Sequence, residues 1–84
     1  MNELDTLSAV RSCLKDALKL TDAEVALVNR DTTPVQFPGW TSMAHLDLML
    51  ALEKHFDIMF EADEIASLAS VASILDALKR HRAA

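Results

Sequence analysis

The sequence predicts an all-α fold, and both the composition and the spacing of apolar residues support that prediction. Of the 84 residues 51% are apolar, yet glycine occurs once, proline twice and tyrosine never. Alanine, leucine, methionine and charged residues make up most of the chain, and these residue types favour helices. Apolar residues recur at intervals of three or four in separate stretches. A chain of this length builds one modest core, so we expect a single domain over residues 1–84.

The first predicted helix runs from residue 3 to residue 19. Its buried face is predicted from apolar residues three or four positions apart: Leu4, Leu7, Val10, Leu14 and Leu18. Asn2 is a suitable N-cap, and the acidic Glu3 and Asp5 fit the positive end of the helix dipole. A start signal and a continuous apolar face therefore agree on this helix.

The stretch between residues 20 and 41 contains both prolines and the only glycine, and it is long for a connection in a small domain. Within it, Thr21-Asp22-Ala23-Glu24 has the spacing of a capping box, which predicts a short helical turn through Val25 to Val28. We expect Val35, Phe37 and Trp40 to attach the remainder of the connection to the core.

Two further helices and a weaker helical turn are predicted in the second half of the chain. Residues 42–56 lack Gly and Pro and follow Thr41, a suitable N-cap. A weaker helical turn is expected at Asp63 to Leu68. Ser70 is the expected cap of the last helix, whose buried face has helical spacing: Val71, Ile74, Leu75 and Leu78. The prediction is therefore three main helices and one minor helix.

The helix over residues 42–56 is more apolar than a single core requires. Its apolar side chains cover more than half of its circumference: Leu48, Leu52, Phe56, Met49, Leu46, Leu50 and Met43. The remaining arc is narrow: Ala44, Asp47, Ala51, Lys54 and His55. Met43 and Leu50 lie at the border of the two arcs, so they either contact a partner or cover the edge of the core.

Ser42 lies in the first turn of this predicted helix. Backbone N–H groups there lack partners within the helix and the helix dipole is positive, so a phosphate group on the serine hydroxyl would be stabilised. Serine is also an ordinary residue at helix starts, where it serves only the local backbone. Position alone therefore favours the purely structural interpretation.

The formal net charge of −5 disfavours nucleic acid as a partner and favours basic protein surfaces. The basic residues Lys79, Arg80 and Arg82 fit the negative end of the last helix and do not reverse this expectation. No apolar run reaches the ~18 residues of a membrane span, and the acidic N-terminus lacks the basic start of a signal peptide. Because Cys13 is the only cysteine, no internal disulfide is possible, and we expect a cytoplasmic location.

The candidate catalytic or metal-binding side chains are Cys13, His45, His55 and His81. None has the spacing of a metal site or of a nucleophile with its base. His45 lies on the apolar arc and is expected to be a half-buried packing residue, and Cys13 is expected to act as a small hydrophobe. The sequence therefore predicts neither an enzyme nor a metal site.

Three segments of the sequence resemble acyl and peptidyl carrier proteins. Gly39-Trp40-Thr41-Ser42-Met43 resembles their Gly-x-Asp-Ser-Leu/Met attachment motif. Residues 46–53, followed by His55-Phe56-Asp57-Ile58, are similar to the family's second helix and to the Phe-Asp or Phe-Gly step at its end. Ser70-Val71-Ala72-Ser73-Ile74-Leu75 is similar to the closing segment. Nearly the whole chain is covered, and residues 21–38 match least.

This resemblance implies an acyl-carrier-protein-like four-helix bundle with three main helices and one short helix, working as a monomer. In this family the serine hydroxyl acquires 4′-phosphopantetheine from coenzyme A on a separate phosphopantetheinyl transferase, which makes the carrier a phosphoprotein. Acyl groups are then held as thioesters on the terminal thiol of that arm. Carried over to this chain, Ser42 is the attachment point, and the domain itself catalyses nothing.

The resemblance also implies partners, namely the transferase, an acyl- or aminoacyl-loading ligase and downstream acyl-transfer enzymes. Met43, Asp47, Leu50 and Glu53 fall where carrier proteins contact partners, and the two acids are expected to make exposed, salt-sensitive contacts. Whether an acyl chain enters the bundle depends on how tightly a set of apolar residues packs: Leu46, Leu48, Phe60, Ile65 and Leu68.

The chain departs from the family pattern at a few positions. Thr41 stands where the family usually has Asp; it can cap the helix but removes a negative charge beside Ser42. Ala44 and Lys54 stand where fatty-acid carriers tend to be acidic. A serine without the preceding aspartate resembles small dedicated bacterial carriers, some of which are loaded with amino acids. The differences together favour specialised lipid or secondary-metabolite biosynthesis over housekeeping fatty-acid synthesis. The alternative is a carrier-like helical adaptor that keeps the docking surface and is not modified.

Overall fold

The computed structural model describes the backbone of residues 3–83 and the side chains of residues 4–81, and over that range it contains helices and no strand. The α-helices, in chain order, are α1 (Glu3–Leu18), α2 (Asp22–Ala26), α3 (Ser42–Phe56), α4 (Ala62–Ser67) and α5 (Val71–Ala83). A 3₁₀ turn at Pro34–Gln36 lies between α2 and α3. The all-α prediction and the three main helices are confirmed. No helix in this range is both long and apolar enough to cross a membrane.

The helix boundaries agree with the predicted ones to within one or two residues, except at α2. The predicted capping box is present, with the Glu24 N–H donating to Thr21 Oγ1 at 3.2 Å and the Thr21 N–H donating to Glu24 Oε1 at 3.0 Å. The predicted short helix is present, but as α2 it covers Asp22–Ala26 and so ends two residues before Val28. The described range thus holds five α-helices instead of four. The proposed cap Asn2 lies outside the described residues.

The core lies between the three long helices, and α1 packs against both α3 and α5. The predicted buried face of α5 is confirmed, but the predicted face of α1 is wrong at Leu4, which is 76% exposed. The buried face of α1 is rotated towards Thr6 and Cys13, which are 8% and 7% exposed, so Leu4 falls on the outer side of the helix. The fully buried core side chains come from all three helices: Val10, Leu14, Leu48, Met49, Leu52, Val71, Ile74 and Leu78.

The connection between α2 and α3 is held by hydrogen bonds from α1 and α5. The Arg11 guanidinium of α1 donates from Nε to the carbonyl oxygen of Val28 at 2.8 Å, and Val28 itself is fully buried. The backbone N–H of Val71, the first residue of α5, donates to the carbonyl oxygen of Thr32 at 2.9 Å. The middle of the sequence is therefore fixed to both ends of the described chain.

Side chains of the same connection pack onto the core only in part. Phe37 and Trp40 are buried, as predicted. Val35 is 91% exposed, so its predicted role in the core is wrong. It is the middle residue of the 3₁₀ turn, in which side chains two positions apart point in different directions; because Phe37 points inward, Val35 points to solvent. An ion pair between Arg30 and Asp76 at 3.1 Å adds a surface contact to α5.

The two longest helices end on residues with left-handed backbone conformation. Lys19 follows α1 with φ of 56°, and Asp57 follows α3 with φ of 55°. At each end the next N–H reaches back five residues, from Leu20 to the carbonyl of Lys15 at 3.0 Å and from Ile58 to that of Glu53 at 3.1 Å. This pattern turns the chain sharply out of the helix and satisfies carbonyl groups of the last turn.

Helices α4 and α5 also begin on side-chain caps. The Ser73 N–H donates to Ser70 Oγ at 3.1 Å, which confirms Ser70 as the cap of α5. Helix α4 covers Ala62–Ser67, one residue earlier than predicted. The two helices are joined by the Glu64 carboxylate of α4, which lies 2.8 Å from His81 Nε2 and 3.7 Å from the Arg80 guanidinium.

Candidate functional site

Ser42 is the first residue of α3, and local hydrogen bonds define that start. The Trp40 N–H donates to the carbonyl oxygen of Phe37 at 2.9 Å, which closes the turn before the helix. Thr41 has extended backbone angles, and its Oγ1 accepts a hydrogen bond from the Ala44 N–H at 3.2 Å. The predicted N-cap is confirmed, so threonine does what aspartate would do for the backbone here.

The Ser42 side chain is exposed, and its hydroxyl has no hydrogen-bond partner among the residues that the structure describes. The N–H groups of Ser42 and Met43 belong to the first turn of α3, where the helix itself supplies no acceptor. An anionic group on the Ser42 oxygen would therefore face unused donors and the positive end of a 15-residue helix.

A groove of about 420 Å³ opens directly beside Ser42. It lies between the first turns of α3, the C-terminal part of α4 with the residues that follow it, and the connection that precedes α3. Most of its lining is apolar: Pro34, Trp40, Thr41, Ser42, His45, Leu46, Ile65, Ala66, Leu68 and Ala69. The first turn of α3 thus presents a free hydroxyl at the edge of an apolar cleft.

His45 forms part of this groove and joins two of its walls. The Trp40 indole N–H donates to His45 Nδ1 at 2.9 Å, and His45 Nε2 lies 3.1 Å from the carbonyl oxygen of Ile65 in α4. The indole and imidazole rings are stacked, with centroids 6.0 Å apart. The predicted half-buried packing role of His45 is confirmed, but the hydrogen bonds were not predicted. A buried indole N–H needs an acceptor, so Trp40 was the residue from which a nearby hydrogen-bond acceptor could have been predicted.

The outer face of α3 carries exposed apolar side chains. Two of them are Met43 and Leu50, for which the sequence allowed either contact with a partner or a position covering the edge of the core. Met43 is 69% and Leu50 is 63% exposed, so neither covers the core edge. Leu46, placed on the apolar arc, is 46% exposed because it lies one turn before Leu50 on the same side of the helix. Asp47 is also exposed on this helix. Met43, Leu46 and Leu50 form what we call the outer stripe.

Two residues of α3, Ala44 of the polar arc and the expected acidic contact Glu53, are less exposed than predicted. Ala44 is only 8% exposed, because it lies one turn before the fully buried Leu48 on the core side of the helix. Glu53 is half-buried, and its Oε2 accepts a hydrogen bond from the Phe60 N–H at 2.7 Å. Its carboxylate therefore fixes the link between α3 and α4 and is not a freely exposed acidic contact.

The five apolar residues expected to decide whether the bundle has internal space differ in burial and in whether they line the groove. Leu48, Phe60 and Leu68 are buried, with relative exposures of 0%, 7% and 2%. Leu46, Ile65 and Leu68 line the groove, whereas Leu48 and Phe60 do not. The groove therefore lies at the surface near α4.

The remaining candidate side chains are spread over different elements. Burial and the neighbouring Asp16 carboxylate raise the pKa of the Cys13 thiol, so it is protonated near neutral pH. His55 packs edge-on against Phe56 on α3, and His81 on α5 is paired with Glu64. Over the part of the chain that the structure describes, no three His, Cys, Asp or Glu side chains are arranged to hold a metal ion.

Comparisons with known proteins do not place the chain in a family. Neither a protein-family model nor a curated protein sequence matches it. The function is therefore inferred from Ser42, its surroundings and the sequence motifs around it.

Proposed function

We propose that this protein is an acyl-carrier-like domain that carries 4′-phosphopantetheine on Ser42 and holds acyl or aminoacyl groups as thioesters for partner enzymes. One observation carries the proposal: the motif serine has an exposed hydroxyl, without a described hydrogen-bond partner, in the first turn of a long helix. The all-α architecture with three long helices supports the proposal.

Attachment of the arm would be catalysed by a separate phosphopantetheinyl transferase. The Ser42 oxygen attacks the phosphorus that bears the pantetheine arm of coenzyme A, and the nucleotide portion leaves with the bridging oxygen. A base on the transferase takes the hydroxyl proton. The product is a phosphodiester whose negative charge lies beside the free N–H groups of Ser42 and Met43.

The outer stripe supports docking of partner enzymes next to the attachment point. Met43 lies directly next to Ser42, and Leu46 and Leu50 lie about one and two turns further along α3. The exposed Asp47 adds a negative charge to the same helix. A loading ligase or an acyl-transfer enzyme with an apolar patch and basic side chains fits this surface, and its ionic contacts would weaken with salt. Glu53 contributes less to docking than the family resemblance implies, because its carboxylate accepts a hydrogen bond from the Phe60 N–H.

The groove beside Ser42 supports a carrier function because an apolar cargo on a short reach from the serine would find apolar walls there. Two sequence differences favour a specialised biosynthetic pathway over general fatty-acid synthesis. Thr41 removes a charge next to the serine, and Lys54 is exposed. Ala44 no longer counts among these differences, because it is buried.

The alternative function is a helical adaptor that is not modified. The absence of aspartate at position 41 favours it, since the negative charge beside the serine is the feature of the motif that this chain lacks. The outer stripe would then be a protein-binding surface without a prosthetic group. The two functions differ in one measurable property, which is covalent modification of Ser42.

Intact-mass measurement after incubation with coenzyme A and a broad-specificity phosphopantetheinyl transferase tests the proposal. We expect the wild-type chain to gain one phosphopantetheine and Ser42→Ala to gain none. Ser12→Ala, which removes another exposed helical serine, is the matched control and is expected to be modified like the wild type. Modification that persists in Ser42→Ala, or no modification of the wild type while a known carrier is modified in parallel, would reject the carrier proposal.

A further inference from the structure

The hydrogen bonds of His45 define its protonation state in the described structure. An indole N–H is only a donor, so the Nδ1 atom that receives it from Trp40 must be an unprotonated acceptor. The single ring proton is then on Nε2, where it is donated to the carbonyl oxygen of Ile65 at 3.1 Å. His45 is therefore a neutral imidazole with one specific tautomer, assigned from its two partners.

The same three residues determine how the walls of the groove are held together. Trp40 belongs to the connection on one side, His45 to α3, and Ile65 to α4 on the other side, and all three line the groove. Trp40 is 6% exposed, so its N–H has little access to water when the bond to His45 is absent. Loss of this one bond therefore leaves a buried donor unpaired, which is costly.

We propose that Trp40, His45 and Ile65 form a proton-operated latch that holds the Trp40 indole in the wall of the groove when His45 is neutral and releases Trp40 when His45 is protonated. A proton added to Nδ1 points at the Trp40 N–H, so two donors face each other and the bond breaks. The indole then moves towards water to satisfy its N–H. The bond from Nε2 to Ile65 persists and becomes charge-assisted, so α4 stays attached to α3.

Few charged groups lie on the elements packed around His45. The connection from Pro34 to Thr41 contains no charged residue. On α4, the Glu64 carboxylate is paired with His81 and Arg80 of α5, and Asp63 is exposed. On α3, the nearest charged residue in sequence, Asp47, is exposed. Imidazole is the side chain whose charge ordinarily changes between about pH 5 and pH 8, and this is the range to test.

The fluorescence of Trp40, which is the only tryptophan in the chain, gives a direct test on the unmodified protein. Between about pH 8 and pH 5 we expect the emission to move to longer wavelength and acrylamide quenching to increase, with the midpoint of a single proton. His45→Asn keeps an acceptor oxygen for Trp40 but cannot be protonated, and it is expected to abolish the transition. His55→Asn, which removes a second histidine from the same helix, should leave the transition intact.

A second measurement keeps the proposal testable if His45→Asn fails to fold, as judged by circular dichroism. In the wild-type protein, the NMR signal of the Trp40 indole N–H should lose its protection from solvent exchange with the same midpoint as the fluorescence change. A flat titration of the wild type, or a transition that persists in folded His45→Asn, overturns the latch. Neither result depends on whether Ser42 is modified, so the carrier proposal is judged separately.

Discussion

Asp57 explains a feature of the sequence that the motif alone does not. It has φ of 55° and ψ of 51°, and it ends α3 by directing the chain back on itself. Glycine adopts this conformation without a penalty, aspartate tolerates it, and β-branched residues do not. The Phe-Asp or Phe-Gly step at the end of the carrier-like helix is thus a backbone requirement at this one position.

The same residue gives a stability prediction. Asp57→Gly is expected to raise the free energy of unfolding by about 1 kcal/mol, because it removes the steric cost of a left-handed side chain. Urea denaturation measures the change. Asp16→Gly is the matched control, since Asp16 is an exposed aspartate inside α1 and its replacement should lower the free energy of unfolding by roughly 0.3 kcal/mol. If both variants are destabilised equally, the assigned end of α3 is incorrect.

At the scale of elements, α4 depends on its neighbours for its stability. It has six residues, which is too short for a helix to be stable alone. Its position is set by His45, which contacts Ile65, by the link from Glu53 to Phe60, and by the Glu64 carboxylate. Because one wall of the groove belongs to α4, these side chains also shape the groove.

Glu64 makes the stability of this element depend on pH. Burial would raise the pKa of its carboxyl, but hydrogen bonds from His81 and the Glu61 N–H and the nearby Arg80 lower it overall. A group whose pKa is lower in the folded state contributes stability above its ordinary pKa, and this stability is lost as pH falls through the folded-state pKa. The relevant window therefore lies below the ordinary value of 4.5.

Glu64→Gln tests this dependence. We expect the variant to be less stable than the wild type by about 0.5–1 kcal/mol at pH 6, and the difference to shrink as the pH falls below 4.5. Urea midpoints measured across that range would show it. Asp63→Asn, an exposed acid on the same helix, should show no such convergence. A constant gap between wild type and Glu64→Gln would mean that the pair with His81 does not form in solution.

The elements were more predictable from the sequence than their exposed faces. Periodic apolar residues and caps such as Thr41 and Ser70 act locally, so helix positions followed from them. Which face is buried depends on packing partners far along the chain, and so Leu4 and Val35 were misassigned. Ser42 was found from its motif. The Trp40–His45–Ile65 contact was not, because His45 and Ile65 are 20 residues apart and no local pattern links them.

At the scale of the whole molecule, the long connection between α2 and α3 is part of the folded core although it has little regular structure. Arg11 fixes its beginning from α1, and Val71 fixes its middle from α5. Thr32, which receives the Val71 bond, is 2% exposed. An irregular segment buried in this way needs its backbone groups satisfied, and these contacts supply the partners.

Removing one of these contacts should loosen the segment. Arg11→Met keeps much of the side-chain stem but leaves the carbonyl of Val28 without its donor, which should cost about 1–3 kcal/mol of unfolding free energy. Urea denaturation gives the magnitude, and hydrogen exchange at Thr32 reports the local effect. Lys79→Met, at an exposed basic residue of α5, is the control and should change stability by less than about 0.5 kcal/mol. Equal effects of the two variants would contradict a structural role for Arg11.

These contacts also set an order of events during protein synthesis. Arg30 and its partner Asp76 are 46 residues apart, so at about 5–20 residues per second the ribosome adds the partner several seconds after the segment itself. Helices α1 and α3 can pair during that interval, while the contacts of Arg30 and Thr32 wait for α5. The groove needs less of the chain, because its last lining residue is Ala69. A nascent chain therefore carries Ser42 before its groove exists, and an enzyme that recognises the groove can act only after residues 65–69 have been added.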